Sequence, residues 1–274
     1  MPSNRDLPDR LPATRCQRQG RAESGPLEPA PRHRLYVEAD LAAGADFWAT
    51  EQQAHYLLNV MRFAAGGEIA LFNGRDGEWR GVIAETGKKK ARLSVTGQLR
   101  PQAPEPDLWL LFAAVKRARI DFIVEKATEL GVSVLQPVFT ERTVMSRVGE
   151  DRLAAIAVEA AEQCERLTVP EVRAPLSLQA ALTKWPEGRV LLLMDETGAG
   201  KPIAEALAGL PPGPAALLIG PEGGFAKSEL DGFSRLTFAV RVGLGPRILR
   251  ADTAAIAALS CYQAIRGDWR DPSP

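Results

Sequence analysis

Two glycine-bearing loops hold most of the residues in this chain whose types and spacing suit chemistry. The first is Gly220-Pro221-Glu222-Gly223-Gly224, directly after the apolar run Leu217-Leu218-Ile219. The second runs from Val242 through Gly243, Leu244, Gly245, Pro246, Arg247, Ile248 and Leu249 to Arg250, with Asp252 just beyond. Glycine lets backbone amides come close to a ligand, and ligands of open α/β sheets sit at the carboxyl ends of strands. A lone Gly-Pro-Glu-Gly-Gly is most simply a tight turn. Two such loops after consecutive apolar strands, the second with arginines set between apolar residues, point to a binding site. Neither loop is GxGxxG, and Gly198-Ala199-Gly200-Lys201 lacks the upstream glycine and the Ser/Thr of a phosphate-binding P-loop. Nicotinamide and nucleoside-triphosphate chemistry lose their usual support.

These loops need strands to carry them. Continuous apolar runs at Leu108–Val115, Val132–Val138, Val190–Met194, Ala215–Ile219 and Thr237–Val242 alternate with helical stretches around 119–130, 150–166, 226–235 and 253–266. Strands that are apolar on both sides are buried on both faces, which predicts a mostly parallel α/β sheet over residues 108–274. Residues 32–100 have another texture. Short strands at Arg34–Val37, Glu68–Phe72, Trp79–Glu85 and Ala91–Val95 are punctuated by Asn-Gly, Asp-Gly and Gly-Gly turns, with one helix over Thr50–Met61. That pattern predicts a small β-barrel. Pro-Gln-Ala-Pro-Glu-Pro-Asp at 101–107 reads as a linker, and residues 1–31, with six prolines, as a disordered basic arm.

Composition excludes whole classes. The 274 residues carry 34 basic and 34 acidic side chains, so any nucleic-acid contact comes from local patches and not from a basic surface. Residues 1–34 hold seven arginines against four acids, and Lys88-Lys89-Lys90 is a second local run. The longest apolar run is eight residues, far below a membrane span. Three widely spaced cysteines make neither a disulfide framework nor a zinc ribbon, and two histidines rule out HExxH. No metal, no membrane and a reducing, cytoplasmic compartment are expected.

The two loops, read as Gly220-Pro-Glu-Gly-Gly224 and Leu244-Gly-Pro-Arg-Ile-Leu-Arg250-Ala-Asp-Thr-Ala254, resemble the bacterial 16S rRNA uridine-N3 methyltransferase family, knotted enzymes of the SPOUT superfamily. Glu159-Ala-Ala-Glu-Gln-Cys-Glu-Arg166, Lys116 with Asp121, Glu125 to Val132 and Thr140-Glu-Arg142 are similar to further family motifs. Arg34-Leu-Tyr-Val37, His55 with Val60-Met-Arg62 and Leu71-Phe-Asn-Gly74 resemble the family's PUA-like RNA-binding module. The likeness covers about 34–267. The chain departs from the pattern where Glu165 replaces the usual glycine, where Ala251 and Asp252 replace threonine and glutamate, and where Arg117-Ala118 follows Lys116.

The resemblance implies a PUA-like barrel followed by an α/β domain with a deep trefoil knot. It implies S-adenosylmethionine as cofactor, held near Met194, Glu196, Ile219, Gly220, Gly223, Val242, Leu244, Gly245, Ile248, Leu249 and Arg250. It also implies a homodimer and a uridine of 16S rRNA in the small ribosomal subunit as substrate. Uracil N3 must lose its proton, so an arginine facing the carbonyl oxygens would stabilise the anion; Arg250 is the first candidate. Glu222 and Asp252 are candidate bases, although Asp252 equally suits the N-cap of the last helix. Arg34, His55, Arg62, Lys116, Arg142 and Arg166 are candidate RNA contacts. A non-catalytic RNA-binding assembly factor and a ribose 2′-O-methyltransferase are the alternatives. Retention of both glycine loops favours an active methyltransferase over the non-catalytic factor, and only the resemblance sets the base methyltransferase above the ribose one.

Overall fold

A computed structural model describes residues 29–270. The arm expected over 1–31 falls almost wholly outside the described residues, as does Cys16.

The first sheet joins β1 (Arg34–Tyr36), β2 (Asp46–Trp48), β3 (Glu68–Phe72), β4 (Glu78–Gly87) and β5 (Lys90–Arg100) in the order β1-β3-β4-β5-β2. β1 runs parallel to β3, and the other pairs are antiparallel. The path does not close, so an open sheet stands where a barrel is expected. Both edge strands have only three residues. Alternate residues Leu35, Ile69, Leu71, Ile83, Leu93 and Val95 bury one face around Ala54 and Leu57.

The helix expected over 50–61 is two segments. Thr50 caps α1 (Glu51–His55) through a reciprocal bond with Gln53. A π-helical turn follows over Tyr56–Val60, and the chain leaves it through Arg62 in the left-handed region, φ 58°. Residues with φ above zero are strained unless they are glycine, and π turns concentrate at functional sites.

The second sheet is parallel throughout. Its strands are β6 (Leu108–Ala113), β7 (Val134–Phe139), β8 (Glu171–Val172), β9 (Leu176–Ser177), β10 (Val190–Met194), β11 (Lys201–Pro202), β12 (Ala215–Ile219) and β13 (Ala239–Gly243). The order is β11-β13-β10-β12-β6-β7-β8, with β9 also on β7. The strand period of two sends neighbouring side chains into two separate cores. Leu110, Phe112, Leu192, Leu217 and Val242 face α2 (Arg117–Glu129), α3 (Glu150–Gln163), α5 (Ile203–Ala208) and α7 (Ala251–Ile265). Leu111, Leu191, Leu193, Ala216 and Leu218 face α4 (Leu178–Thr183) and α6 (Lys227–Phe233). This three-layer arrangement is why the strands read as unbroken apolar runs.

The 101–107 segment has no regular structure but is tied down on both sides. Glu105 accepts from Arg166 Nη2 at 2.5 Å, and Asp107 from Arg189 Nη2 at 2.5 Å. The two sheets meet at the C-terminal end of α3. Arg34 crosses from β1 and donates through Nη1 to the Ala161 carbonyl at 2.6 Å and through Nη2 to the Arg166 carbonyl at 2.8 Å. The Tyr36 N–H donates to Glu162 Oε1 at 2.9 Å, and Arg100 Nη2 to the Glu165 carbonyl at 2.9 Å. Orphan carbonyls at a helix end are thus satisfied by side chains from the other sheet. Glu165 has φ 60°, so the glycine usual at this position of the family pattern has a backbone reason.

Candidate active site

Three loops converge at the carboxyl ends of β10, β12 and β13 to enclose a cleft of about 310 Å³. Met194 to Gly198 follow β10, Ile219 to Gly224 follow β12, and Gly243 to Leu249 follow β13. Ala251 and Ala254, in the first turns of α7, complete the wall.

Each loop is held by its own bonds. After β10, the buried Asp195 donates its N–H to the Val242 carbonyl at 2.8 Å, fastening β13 alongside. Its carboxylate accepts from the Thr197 N–H at 2.9 Å and from Arg241 Nε at 2.9 Å. Burial works to raise this carboxyl, but the Thr197 hydrogen bonds and the Arg241 guanidinium outweigh it and hold it below the usual range. After β12, Gly220 lies under the ring of Phe225, where a Cβ would stand 2.7 Å from the ring edge. Gly224 has φ 68°, and a Cβ there would strike the Glu196 carboxylate. Glu196 Oε1 in turn accepts from the Phe225 N–H at 3.2 Å. Glycine at 220 therefore serves close packing, and at 224 both packing and backbone angle.

Glu222 is ion-paired with Arg119 in the first turn of α2, 2.7 Å from Nη1. Arg142 Nη1 donates to the Gly223 carbonyl at 2.7 Å. Pro221 and Glu222 line the cleft on one side and, on the other, a second cavity of about 130 Å³ that also touches Lys116, Arg142, Val144 and Met145.

Of the residues expected at the cofactor, Met194, Glu196, Ile219, Gly220, Leu244, Gly245, Ile248 and Leu249 line the cleft. Gly223 faces the second cavity, and Val242 is fully buried beneath the loops. Arg250 is exposed and is the residue that precedes α7; its side chain has no hydrogen-bond or ion-pair partner among the described residues, while Arg247 lines the cleft. Asp252 is the second residue of α7 and its Oδ1 accepts from the Thr253 N–H at 2.9 Å, so the N-cap reading of Asp252 is corrected: Arg250 holds that position.

The expected RNA contacts divide. His55, Arg62, Lys116 and Arg142 are exposed. Arg34 and Arg166 are each only 7% exposed at the side chain, and their donors are committed to the protein. Arg34 Nε pairs with the buried Glu78 at 2.6 Å and its guanidinium lies 4.2 Å from the Phe72 ring centre. Arg166 pairs with Glu105 and donates to the Thr128 carbonyl at 2.8 Å. The Glu159–Arg166 motif is the joint between the sheets. Sequence reasoning missed Asp195, Thr197, Arg119 and Arg241; Asp195 borders a singled-out strand, but its partners come from distant segments.

Among the described residues no group of His, Cys, Asp and Glu is placed to hold a metal, and no helix is long and apolar enough to cross a membrane.

Comparisons with known proteins agree with this geometry. A family model described as an RNA methyltransferase domain matches residues 102–263, and one described as an RNA methyltransferase PUA domain matches 49–96. The chain is 33% identical to the ribosomal RNA small subunit methyltransferase E of Synechocystis sp., over 85% of this chain and 78% of that one. It is 30% identical to the Rickettsia conorii protein of the same name, over 83% of this chain and 93% of that one. Among solved structures, ribosomal RNA small subunit methyltransferase E from Neisseria gonorrhoeae bound to S-adenosyl methionine superposes with a TM-score of 0.78 at 29% identity, covering 86% of this chain and 99% of that chain.

Proposed function

The chain belongs to the ribosomal RNA small subunit methyltransferase E family, and on that premise we propose that it methylates N3 of one uridine of 16S rRNA in the small ribosomal subunit, using S-adenosylmethionine. The observation that carries this reading is the cleft where three loops meet at the strand ends.

The cleft fits that cofactor on its own chemistry. Its volume of about 310 Å³ lies at the lower end of the roughly 300–1,000 Å³ usual for small-ligand sites. Met194, Ile219, Leu244, Ile248 and Leu249 offer apolar walls, and the glycine loops offer backbone groups to an adenine edge. Glu196 and Glu222 supply negative charge for a sulfonium, and the N-terminal turn of α7 favours a carboxylate. When bound, the cofactor supplies a methyl carbon on a positive sulfur, which leaves as a neutral thioether with the C–S electron pair.

The chain's own residues do the rest. Glu222, at the edge of the cleft, takes the N3 proton of the uracil, and Asp252 is the second carboxylate in range of the same loop-to-helix junction. Arg250, its side chain without a protein partner among the described residues, turns its planar fork to the uracil oxygens as charge develops. Arg62 and His55 meet the RNA backbone, and Lys116 and Arg142 meet the RNA at the target nucleotide. Residues 32–100 act as the RNA-binding unit, 101–107 as its connection, and 108–274 as the methyl-transferring unit.

Three further features belong to this reading. The path from β10 to α7 is the family's trefoil knot; β13 lies between β10 and β11, which both precede it in the chain. The working form is a homodimer: Ile256, Ala257 and Cys261 of α7 remain half-buried in one chain, and Phe122 on α2 and Trp269 just after α7 are exposed. The compartment is the cytoplasm, where small subunits are assembled.

The test is labelled methyl transfer to small subunits from a strain lacking this enzyme, with nucleoside identification. N3-methyluridine is the expected product; 2′-O-methylation or no transfer refutes the reading. Sedimentation at micromolar concentration is expected to give a dimer, and an active monomer contradicts it.

A further inference from the structure

The Gly220–Gly224 loop is a partition. Gly220 and Gly224 face the large cleft, Gly223 faces the cavity of about 130 Å³, and Pro221 and Glu222 line both. We propose that the smaller cavity receives the target base itself, a uracil turned out of the RNA, with Glu222 shared between base and cofactor sites. The proposal rests on the methyltransferase reading above and adds the place where the acceptor base is held.

Size selects a single six-membered ring. An engineered cavity of about 150 Å³ takes up benzene, so 130 Å³ matches a single six-membered ring. The lining suits a flipped base, which enzymes hold between apolar side chains while reading its edge with polar groups. Val115 and Met145 give apolar walls, and Val144, 97% exposed, stands as an apolar surface at the mouth that none of the described residues covers.

Charge selects uracil over cytosine. The 13-residue α2 starts at this cavity: Lys116 is its N-cap residue, no side chain caps it, and its first turn contains no acid. Helix N-termini favour negative charge. Lys116 and Arg142 line the cavity, and Arg119 reaches Glu222 beside it. Arg119 Nη1 is buried and ion-paired with Glu222 Oε1 at 2.7 Å, which keeps a positive charge beside the cavity. Uracil carries an imide proton between two carbonyls, and its anion spreads charge onto both oxygens. Cytosine has no proton at N3, so these cations would have no developing charge to stabilise.

The experiment uses Met145→Trp, which fills the cavity, and Val144→Trp, whose exposed position leaves folding intact. Each is measured for melting, for S-adenosylmethionine binding by calorimetry, and for single-turnover methyl transfer to unmodified small subunits. The parent is also irradiated with small-subunit RNA containing 4-thiouridine, and the crosslinked peptides are identified. Both variants are expected to bind cofactor as the parent does, with transfer falling about 100-fold in Met145→Trp, the size of loss that misplacing a reacting group produces. Crosslinks are expected on residues 142–145 or 221–223. Near-parental turnover in both folded variants overturns the proposal while leaving the parent a methyltransferase. Crosslinks confined to 246–250 also overturn it, as does a reduced salt dependence of RNA binding with unchanged turnover, which would mark a phosphate site. A parent that binds no cofactor and transfers no methyl group refutes the functional reading, and this proposal with it.

Discussion

Arg34 and Glu78 form a buried ion pair at 2.6 Å in which both side chains are under 10% exposed, and the same guanidinium reaches out of its sheet to the last carbonyls of α3. One side chain therefore binds β1 to β4 and the first sheet to the second. Removing one partner of a buried pair is far more costly than removing both, because the other charge stays behind without water.

Arg34→Ala is expected to destabilise the protein by less than the about 3–5 kcal/mol of a buried charge left unpaired, because Arg100 Nε still holds Glu78 Oε2 at 2.8 Å, and urea unfolding measures the loss. Arg34→Lys keeps the charge but loses the fork that serves Glu78, Ala161 and Arg166 together, so it recovers only part. Equal stability of Arg34→Ala and the parent would show that the joint is held elsewhere.

Two carboxyls at this joint give stability opposite pH dependences. Burial works to raise Glu78, but Arg100 and Arg34 hold it below the usual range. Its contribution is present above the unfolded carboxyl value of about 4.3 and is lost as pH falls through its lower folded value. Burial pushes Glu162 up, against the Tyr36 N–H and Arg34. Its contribution is complete below the unfolded value and is lost as pH rises through its higher folded value. Glu162→Gln is thus expected to be more stable than the parent at pH 7, with the difference vanishing below pH ~4, whereas Glu78→Gln is less stable at pH 7 and converges with the parent in acid. Denaturant titrations across pH 3–8 check both signs.

Arg62 and Arg166 are expected to separate in RNA binding. Arg62 is exposed and has no ion-pair partner among the described residues; Arg62→Ala should lower the salt slope of RNA binding by roughly 0.7 and leave melting unchanged. Arg166 is committed to Glu105 and Thr128, so Arg166→Ala should lower the melting temperature and leave the slope alone. The opposite pattern would return Arg166 to the RNA surface.

Arg250→Ala is expected to slow single-turnover transfer about 10²–10³-fold. Because the side chain is exposed and has no protein partner among the described residues, stability should change by less than about 0.5 kcal/mol. Arg250→Lys should rescue part of the rate. A stable Arg250→Ala enzyme with normal turnover would leave Glu222, Asp252 and Arg247 as the groups to test.

The sequence by itself determined the elements whose signal is local. β3, β10 and β12 occupy the residues their apolar runs mark, and α7 begins two residues before its expected start. Burial on both sides of the second sheet was legible because alternate residues of the same run feed two cores. The two glycine loops were legible because backbone approach demands glycine wherever the loops go. Short β2, β8, β9 and β11 were not, since two or three residues carry no period. Tertiary structure alone decided the fate of the arginines. Arg34, Arg62 and Arg166 look alike as residue types, yet Arg34 and Arg166 meet carbonyls and carboxylates from segments far away in the chain while Arg62 meets none among the described residues. Composition records how many charges a chain has; only the fold brings each one to a partner or leaves it in water.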